Sequence, residues 1–474
     1  MNSFLIFFFK HKHKLILIFM SLLIVSCATY YSKNIEFQNY LMQGNFAKAN
    51  VWLNKNTKDA DGKNQLLYYL NRGYVSWILK NYEESNKQFS IAERVIEDYI
   101  KNYYLEALTL VSNPNVKPYK PEDFEVVMVN YYMALNYLQL QKYDDAIVEC
   151  KRINIKLNEL NDKYKDHKNR YQRDAFANNL MGIIYESQHD YNNAFIAYRN
   201  ALEIYETDYK EYFNIPIPKQ LKQDILRTAY LTGFSDEVKY YEDKFNIDFE
   251  FTPRENGELV FFWLNGYGPY KSESSINFVK IPNSESGYVT MVNKEHNLSF
   301  PLYIGDKSKK EKEAFDDLRF FRIAFPKYME RKPLYTNASL ETDSYQYKLE
   351  EIQNINDIAF KTLKDRMVRE MASAIMRLAT KKALEALADE QDEGLGTLLN
   401  IVNTLTEKAD TRNWQTLPYS ISYARIPLKA GLNSIALKTK SPYSNGKTEI
   451  FTLKGIKNRT YFKAHHSIDC QQNN

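Results

Sequence analysis

Three groups of residues have the types and spacing that chemistry needs. Glu407, Asp410, Arg412 and Trp414 place two carboxylates beside a cation, a set that can exchange protons with a substrate. The same residues also read as a latch, in which an Arg and a Trp follow a helix end and clamp helix to sheet, and this mechanical reading is favoured. His465, His466, Asp469 and Cys470 carry metal-ligating atoms, but on a terminal segment without a second ligand cluster, so a frayed end and no bound metal are expected. Asn265-Gly266-Tyr267-Gly268-Pro269 lacks the following helix that phosphate binding requires and reads as a hairpin turn. The chain holds no Gly-x-Ser-x-Gly elbow, no His-Glu-x-x-His, no Cys-x-x-Cys and no Gly-x-x-x-x-Gly-Lys-Ser/Thr phosphate loop. It is therefore read as not an enzyme, with no catalytic residue and no cofactor.

One more reactive group is the thiol of Cys27. It follows a basic cluster, Lys10-His11-Lys12-His13-Lys14, and an apolar run from Leu15 to Val25. Those 11 residues are too short for a helix to cross a bilayer core of about 30 Å, and the flanks are those of a signal peptide over residues 1–26. Ile24-Val25-Ser26-Cys27 resembles the lipobox of bacterial lipoproteins. The resemblance implies cleavage before Cys27 and a diacylglycerol on its thiol, with about 0.8 kcal/mol of membrane affinity for each buried methylene. No acidic residue follows the cysteine in Ala28-Thr29-Tyr30, which for such lipoproteins implies the outer membrane, facing the periplasm. Loss of residues 1–26 removes three lysines and no acid, so the formal charge falls from +4 to +1, and a nucleic-acid partner is not expected. Cys150 and Cys470 are too few for a disulfide framework, although one bridge between them is compatible with an oxidising compartment.

The elements that position these groups fall into two halves. From Asn179 to Ile204, Gly182, Tyr185, Tyr191, Ala194, Tyr198, Ala201 and Leu202 follow the tetratricopeptide order of small residue, aromatic, turn aromatic, Ala, aromatic, Ala. The same frame fits Ala134, Tyr137, Tyr143, Ala146 and Cys150; Gly73, Tyr82, Phe89 and Ala92; and, more weakly, Gly44, Phe46 and Ala49. A degenerate hairpin is expected at Leu221 to Phe245, and Cys150 is expected to fill core. Small residues in this frame let paired helices approach, and aromatics fill the space between hairpins. The array is interrupted over about residues 98–123. There, Pro114, Pro118 and Pro121 impose an extended loop around Tyr119, read either as a plain linker or as an aromatic loop laid across the inner face of the array.

Beyond Phe249 the period changes. Glu258 to Leu264, Ile276 to Ile281 and Gly287 to Val292 read as strands, as do Ser420 to Leu428 and Asn433 to Lys438, which are expected to form a hairpin with each other. Lys307 to Glu313 reads as a solvated turn or helix start. Between the strands, about residues 356–408 carry an apolar stripe including Met367, Met371, Ile375 and Leu378 and predict an inserted helical hairpin. That hairpin covers one face of the sheet or serves as a partner surface.

Three blocks, Pro118 to Tyr137, Gly257 to Gly268 and Thr406 to Pro418, resemble a family of bacterial tetratricopeptide-repeat lipoproteins of the cell envelope. The chain departs from that pattern after Tyr119, where the family has glycine, and at Gln141-Lys142, where it has Gly-Asp before the turn aromatic. The resemblance implies an envelope location and association with other lipoproteins, of the peptidoglycan-synthase-activator or curli-secretion kind. The expected fold is α+β: residues 27–246 an all-α array of helical hairpins, residues 247–474 a β-rich domain with the helical insertion. The expected function is a membrane-anchored scaffold whose groove, at Tyr119, Tyr131, Tyr132, Tyr137 and Asn178, holds a segment of an envelope protein, since tyrosine offers large contact area and a polar tip. The alternative is a glycan- or peptidoglycan-binding accessory protein in which Trp263 and Trp414 of the β-rich domain stack on sugar rings.

Overall fold

Each turn aromatic opens the second helix of a hairpin, because the chain reverses two residues earlier through a left-handed residue. The computed structural model describes residues 30–106, 117–162, 170–282, 288–294, 298–303, 305, 320–367, 371 and 409–471. The left-handed positions are Gly44, Lys80, Gln141 and His189, with φ of 69°, 63°, 58° and 61°. In each case the following amide closes back on the residue five before it, as Lys142 N–H does on the Tyr137 carbonyl at 2.8 Å. Three of the four turns thus use a residue with a Cβ where glycine is unstrained. This accounts for the departure at Gln141.

Two compact units result, one ending at Lys55 and one beginning at Asn56. In the first, α1 (Tyr30–Lys33), α2 (Ile35–Met42) and α3 (Phe46–Lys55) close around Phe37, Leu41, Ala49 and Leu53, with Trp52 stacked on Phe37 at 5.6 Å.

In the second unit the hairpins are α4 (Gln65–Ile78) with α5 (Tyr82–Glu106), α6 (Asp123–Gln139) with α7 (Tyr143–Asp162), α8 (Ala175–Ser187) with α9 (Tyr191–Ile204), and α10 (Lys219–Thr232) with α11 (Ser235–Phe245). The small residues act as expected. A Cβ built on Gly73 or Gly182 falls within 3.0 Å of the ring of Phe89 or Tyr198 respectively, closer than real Cβ atoms come. The Gly182→Ala variant should therefore lose about 2 kcal/mol through overpacking, even though alanine favours the helix. A urea midpoint unchanged or raised in that variant would contradict the close approach. Cys150 is fully buried and burial pushes its thiol well above the usual range, as core filling requires. Cys150 and Cys470 are both free. The interruption is shorter than expected, because α5 runs on through residues 98–106 and Glu122 and Glu125 form a capping box that starts α6 at Asp123. After α9, Tyr205–Phe213 continues as π-helix and buries Tyr205, Tyr209 and Phe213 on one face.

Twelve strands among the described residues form three sheets of four: β12-β1-β9-β8, β11-β10-β6-β7 and β4-β3-β2-β5. The first contains β1 (Glu258–Asn265), β8 (Glu350–Asn354), β9 (Ser420–Pro427) and β12 (Thr460–Ser467). The second contains β6 (Asn337–Glu341), β7 (Gln346–Lys348), β10 (Gly431–Lys440) and β11 (Thr448–Gly455). The third contains β2 (Tyr270–Pro282), β3 (Tyr288–Asn293), β4 (Leu298–Tyr303) and β5 (Phe320–Met329).

Two expected hairpins are absent. β9 pairs with β1 and β8 while β10 pairs with β11 and β6, so the short loop between them crosses from one sheet to the next. Gly266 to Pro269 likewise leads from β1 into the third sheet, where β2 pairs with β3 and β5. The C-terminal segment does not fray: β12 lies parallel to β1 over eight residue pairs and carries His465 and His466. Residues 307–313 and most of the expected helical insertion, 368–370 and 372–408, lie outside the described residues. Its start is a helix, α12, over 355–367.

The first two sheets make a sandwich closed by Leu259, Phe261, Trp263, Leu340, Ala424, Ile426, Ile435 and Leu437. All eight residues of β1 are buried. The alternate set, including Phe262, faces the helices, with the Phe262 ring 5.9 Å from that of Phe176 on α8. An uninterrupted apolar strand is what a central layer covered on both faces demands.

Candidate functional site

The residues expected to line an open groove are instead the seam between helices and sheet. Tyr119, Tyr131 and Tyr132 are only 1–3% exposed, and Asn178 is buried as well. Tyr132 lies among Tyr74, Trp77, Phe89 and Trp414, at ring separations of 5.1 to 6.1 Å. Tyr131 stacks on Phe176 at 4.9 Å and donates to Asp174, while Asn178 donates within its own helix to the Asp174 carbonyl at 2.8 Å. Tyr119 donates to Glu125 and lies under the Arg412 guanidinium, 5.6 Å from the ring centroid. Only Tyr137 is part-exposed. The groove expectation is corrected for a physical reason: the first helices of the hairpins expose large flat rings, and the nearest apolar surface of matching size is the chain's own central sheet.

Trp263 and Trp414 are buried too, which removes the sugar-stacking arrangement. The Trp263 indole donates to Ser467 Oγ at 2.9 Å and that of Trp414 to Thr416 Oγ1 at 2.6 Å. Within the described part of that block, residues 409–418, Arg412 and Trp414 act as a latch whose target is the helical array, while Glu407 and the expected helix end lie outside the described residues. The Trp414 amide donates to Glu125 Oε1 at 2.6 Å, and the Arg412 guanidinium donates to the carbonyls of Lys63 and Lys117, both at about 3.1–3.2 Å.

Charge is buried along this seam in balanced clusters. Arg425 on β9 is wholly enclosed and reaches Glu186 on α8 at 2.7 Å, Asp224 on α10 at 3.1 Å and Glu258 on β1 at 2.6 Å, and it donates to the Tyr198 hydroxyl at 2.9 Å. Arg227 completes the set, donating from Nε to Glu186 at 2.6 Å and from Nη2 to Asp224 at 2.6 Å, and Arg254 joins Glu258. Burial pushes the Glu186 carboxyl up, but the Arg227 and Arg425 guanidiniums outweigh it and hold the group well below the usual carboxylate range. Nearer the start of α6, Glu122 takes both Lys271, on β2, and Arg366, on α12, the latter at 2.6 Å. At the N-cap of α8, Asp174 accepts from Tyr131 and Tyr171, from the Ala177 amide of that helix, and from Gln353 on β8 at 2.8 Å.

Sequence reading missed Arg425, Glu186, Asp224 and Glu258. The available signal was an arginine inside Ile421-Ser-Tyr-Ala-Arg-Ile426, since a charge in the middle of a buried strand requires a partner. The chain also places His466 in the seam. Its Nε2 donates to the Gly266 carbonyl at 2.7 Å, so Nδ1 accepts from the Tyr74 hydroxyl at 3.0 Å, and burial depresses its pKa to about 4. No group of three or more potential metal ligands occurs among the described residues.

Fold and site together define a helical-hairpin protein whose inner face is closed by its own β-sandwich. No family model matches the chain, and no curated protein matches it. Solved structures similar to it include MamA AMB-1, 13% identical, covering 45% of this chain and 87% of that one with a TM-score of 0.28. The apo form of RapI is 13% identical over 46% and 71% of the two chains, TM-score 0.30. A tetratricopeptide repeat protein from Parabacteroides merdae ATCC 43184 is 15% identical over 46% and 79%, TM-score 0.20. At these TM-scores the likeness carries no argument about function.

Proposed function

We propose that this chain is a lipid-anchored, non-catalytic adaptor of the bacterial envelope that engages a partner protein on the outer face of its helical array. The observation that carries this reading is the filled inner face: the surface where a groove would open is spent on the chain's own sheet. What remains is the outer face, which repeats a pattern. Val148 and Ile196 stand five residues after the turn aromatics Tyr143 and Tyr191 and are 45% and 40% exposed, and Ile155 lies two turns beyond Val148 on the same helix face. Branched aliphatics left in water at equivalent positions of consecutive hairpins suit a protein contact.

Anchoring rests on the lipobox ending at Cys27 and on the basic and apolar segments before it. The proposed place is the outer membrane, facing the periplasm. Cys27→Ala should move the protein from the membrane fraction to the soluble fraction and abolish palmitate incorporation, and retention of both would refute the anchor. A photo-crosslinking amino acid placed at Val148 or Ile196 in living cells should capture one envelope protein, whereas the same probe at Tyr132 should capture none. The reverse pattern would return the partner to the inner face.

A further inference from the structure

The second sheet turns one face to the core of the sandwich and the other to solvent, and the solvent face is strongly one-signed. Leu340, Ile435, Leu437, Phe451 and Leu453 point inward. Alternation along the strands therefore sets Leu432, Lys438 and Lys440 of β10 outward, and the register brings Ile450 and Lys454 of β11 and Lys348 of β7 onto the same face. Glu341 offsets Lys438, and Asp343 lies in the turn after β6. Lys348, Lys440 and Lys454 are exposed. Residues 429–469, which supply β10, β11 and β12, hold eight lysines and arginines against two acids, a formal +6 inside a chain whose total is +4.

Apolar side chains stand in water among these lysines. Leu432 is 76% exposed and Ile450 69%, and Tyr443, in the loop from β10 to β11, is 69% exposed as well. Each sits apart from the others between lysines, threonines and serines, since Leu432 lies opposite Lys454, Ser434 opposite Thr452, and Lys438 opposite Thr448. A protein-binding patch has a different build, with a contiguous apolar centre and few lysines. A nucleic acid is held by stacking rings and by arginine forks, whereas the outward strand positions here offer lysines and branched aliphatics. Lysine stems that reach different depths, with isolated aliphatics between them, match a lipid headgroup layer, where phosphates meet the ammonium groups and the boundary with the acyl chains takes the apolar tips.

We infer that the outer face of the second sheet rests on the anionic surface of a phospholipid bilayer, its lysines on the lipid phosphates and Leu432 and Ile450 entering the headgroup boundary. This contact rests on the membrane location proposed through Cys27 and adds to it. The acyl chains tether the protein, and the lysine face sets which surface of the sandwich meets lipid.

Vesicle sedimentation tests the contact without the tether, using the mature chain, residues 27–474, with Cys27→Ser so that no acyl group is present. Vesicles of phosphatidylglycerol and phosphatidylcholine in equal parts should carry the chain down, and vesicles of phosphatidylcholine alone should not. Binding should vanish at about 1 M salt, where charges are screened beyond about 3 Å. Lys440→Glu combined with Lys454→Glu should weaken binding at least about tenfold at an unchanged thermal midpoint. The same reversal at Lys87 and Lys239, exposed on α5 and α11, should change it less than about twofold, because net charge alone is not the cause. No sedimentation with anionic vesicles, equal sedimentation with neutral ones, or equal losses in the two double variants would overturn the proposal. So would tighter binding of polyglutamate or of duplex DNA than of anionic vesicles, which would give the face to an acidic protein or to a nucleic acid. Fractionation of Cys27→Ala in cells reports on the tether alone, so the failure of either reading shows separately.

Discussion

Replacing Arg425 by methionine is expected to destabilise the large unit by about 3–5 kcal/mol, the usual cost of stranding buried charge. Methionine nearly matches the arginine stem in length, so packing is conserved and the loss is electrostatic. In the native cluster three guanidiniums, of Arg227, Arg254 and Arg425, face three carboxylates, of Glu186, Asp224 and Glu258. Removing Arg425 leaves two against three, with the carboxylates of Glu186, Asp224 and Glu258 all still buried. It also takes a donor from the Tyr198 hydroxyl and unties β9 from α8 and α10 together. Adding Glu258→Gln restores the balance and should recover part of the loss, the non-additivity expected of groups in one network. The measurement is the urea midpoint of both variants, and a shift equivalent to less than about 1 kcal/mol in Arg425→Met would mean that the cluster is not load-sharing.

A second large effect is acid destabilisation through His466. Its folded-state pKa of about 4 lies below the ordinary value of about 6.5, so the native state refuses a proton that the unfolded chain accepts. Stability from this group is complete above about pH 6.5 and is lost as pH falls from there toward 4, in total on the order of 3 kcal/mol. The cause is burial first. The tautomer that donates from Nε2 to Gly266 and accepts at Nδ1 from Tyr74 would also lose its acceptor on protonation. Glu186 follows the same rule at lower pH: its pKa is also depressed, so its contribution is present above the ordinary carboxylate value and is lost only as pH falls below it. The two are separable by His466→Gln, which can donate to Gly266 and accept from Tyr74 but does not titrate. Urea unfolding at intervals between pH 7.5 and 4.5 should show a shallower decline in that variant, and parallel curves would remove His466 as the cause.

Much of the helical half was legible from residue order alone. Gly73 and Gly182, Ala92, Ala146 and Ala194, and the turn aromatics from Phe46 to Tyr191 report contacts within a hairpin and between neighbours, so their spacing along the chain is their spacing in the fold. β1 was legible as a strand for a similar reason, as a short apolar run bounded by glycines. Cys27 is defined by its neighbours in sequence, and its proposed lipidation rests on them.

What the sequence alone could not decide was which surface covers which. The tyrosines on the first helices were visible, but a tyrosine that binds a partner and one that packs against a distant strand have the same local pattern. Only the tertiary structure shows Tyr131 stacked on Phe176 and Phe176 in turn against Phe262 of β1, because bringing Phe262 to Phe176 requires chain closure that no local period encodes. Strand pairing was lost in the same way. The loop joining β9 to β10 has the length of a hairpin, yet Ser420 to Ala424 need the central sheet and Ile435 and Leu437 need the sheet facing it, so the chain crosses over where a turn was expected.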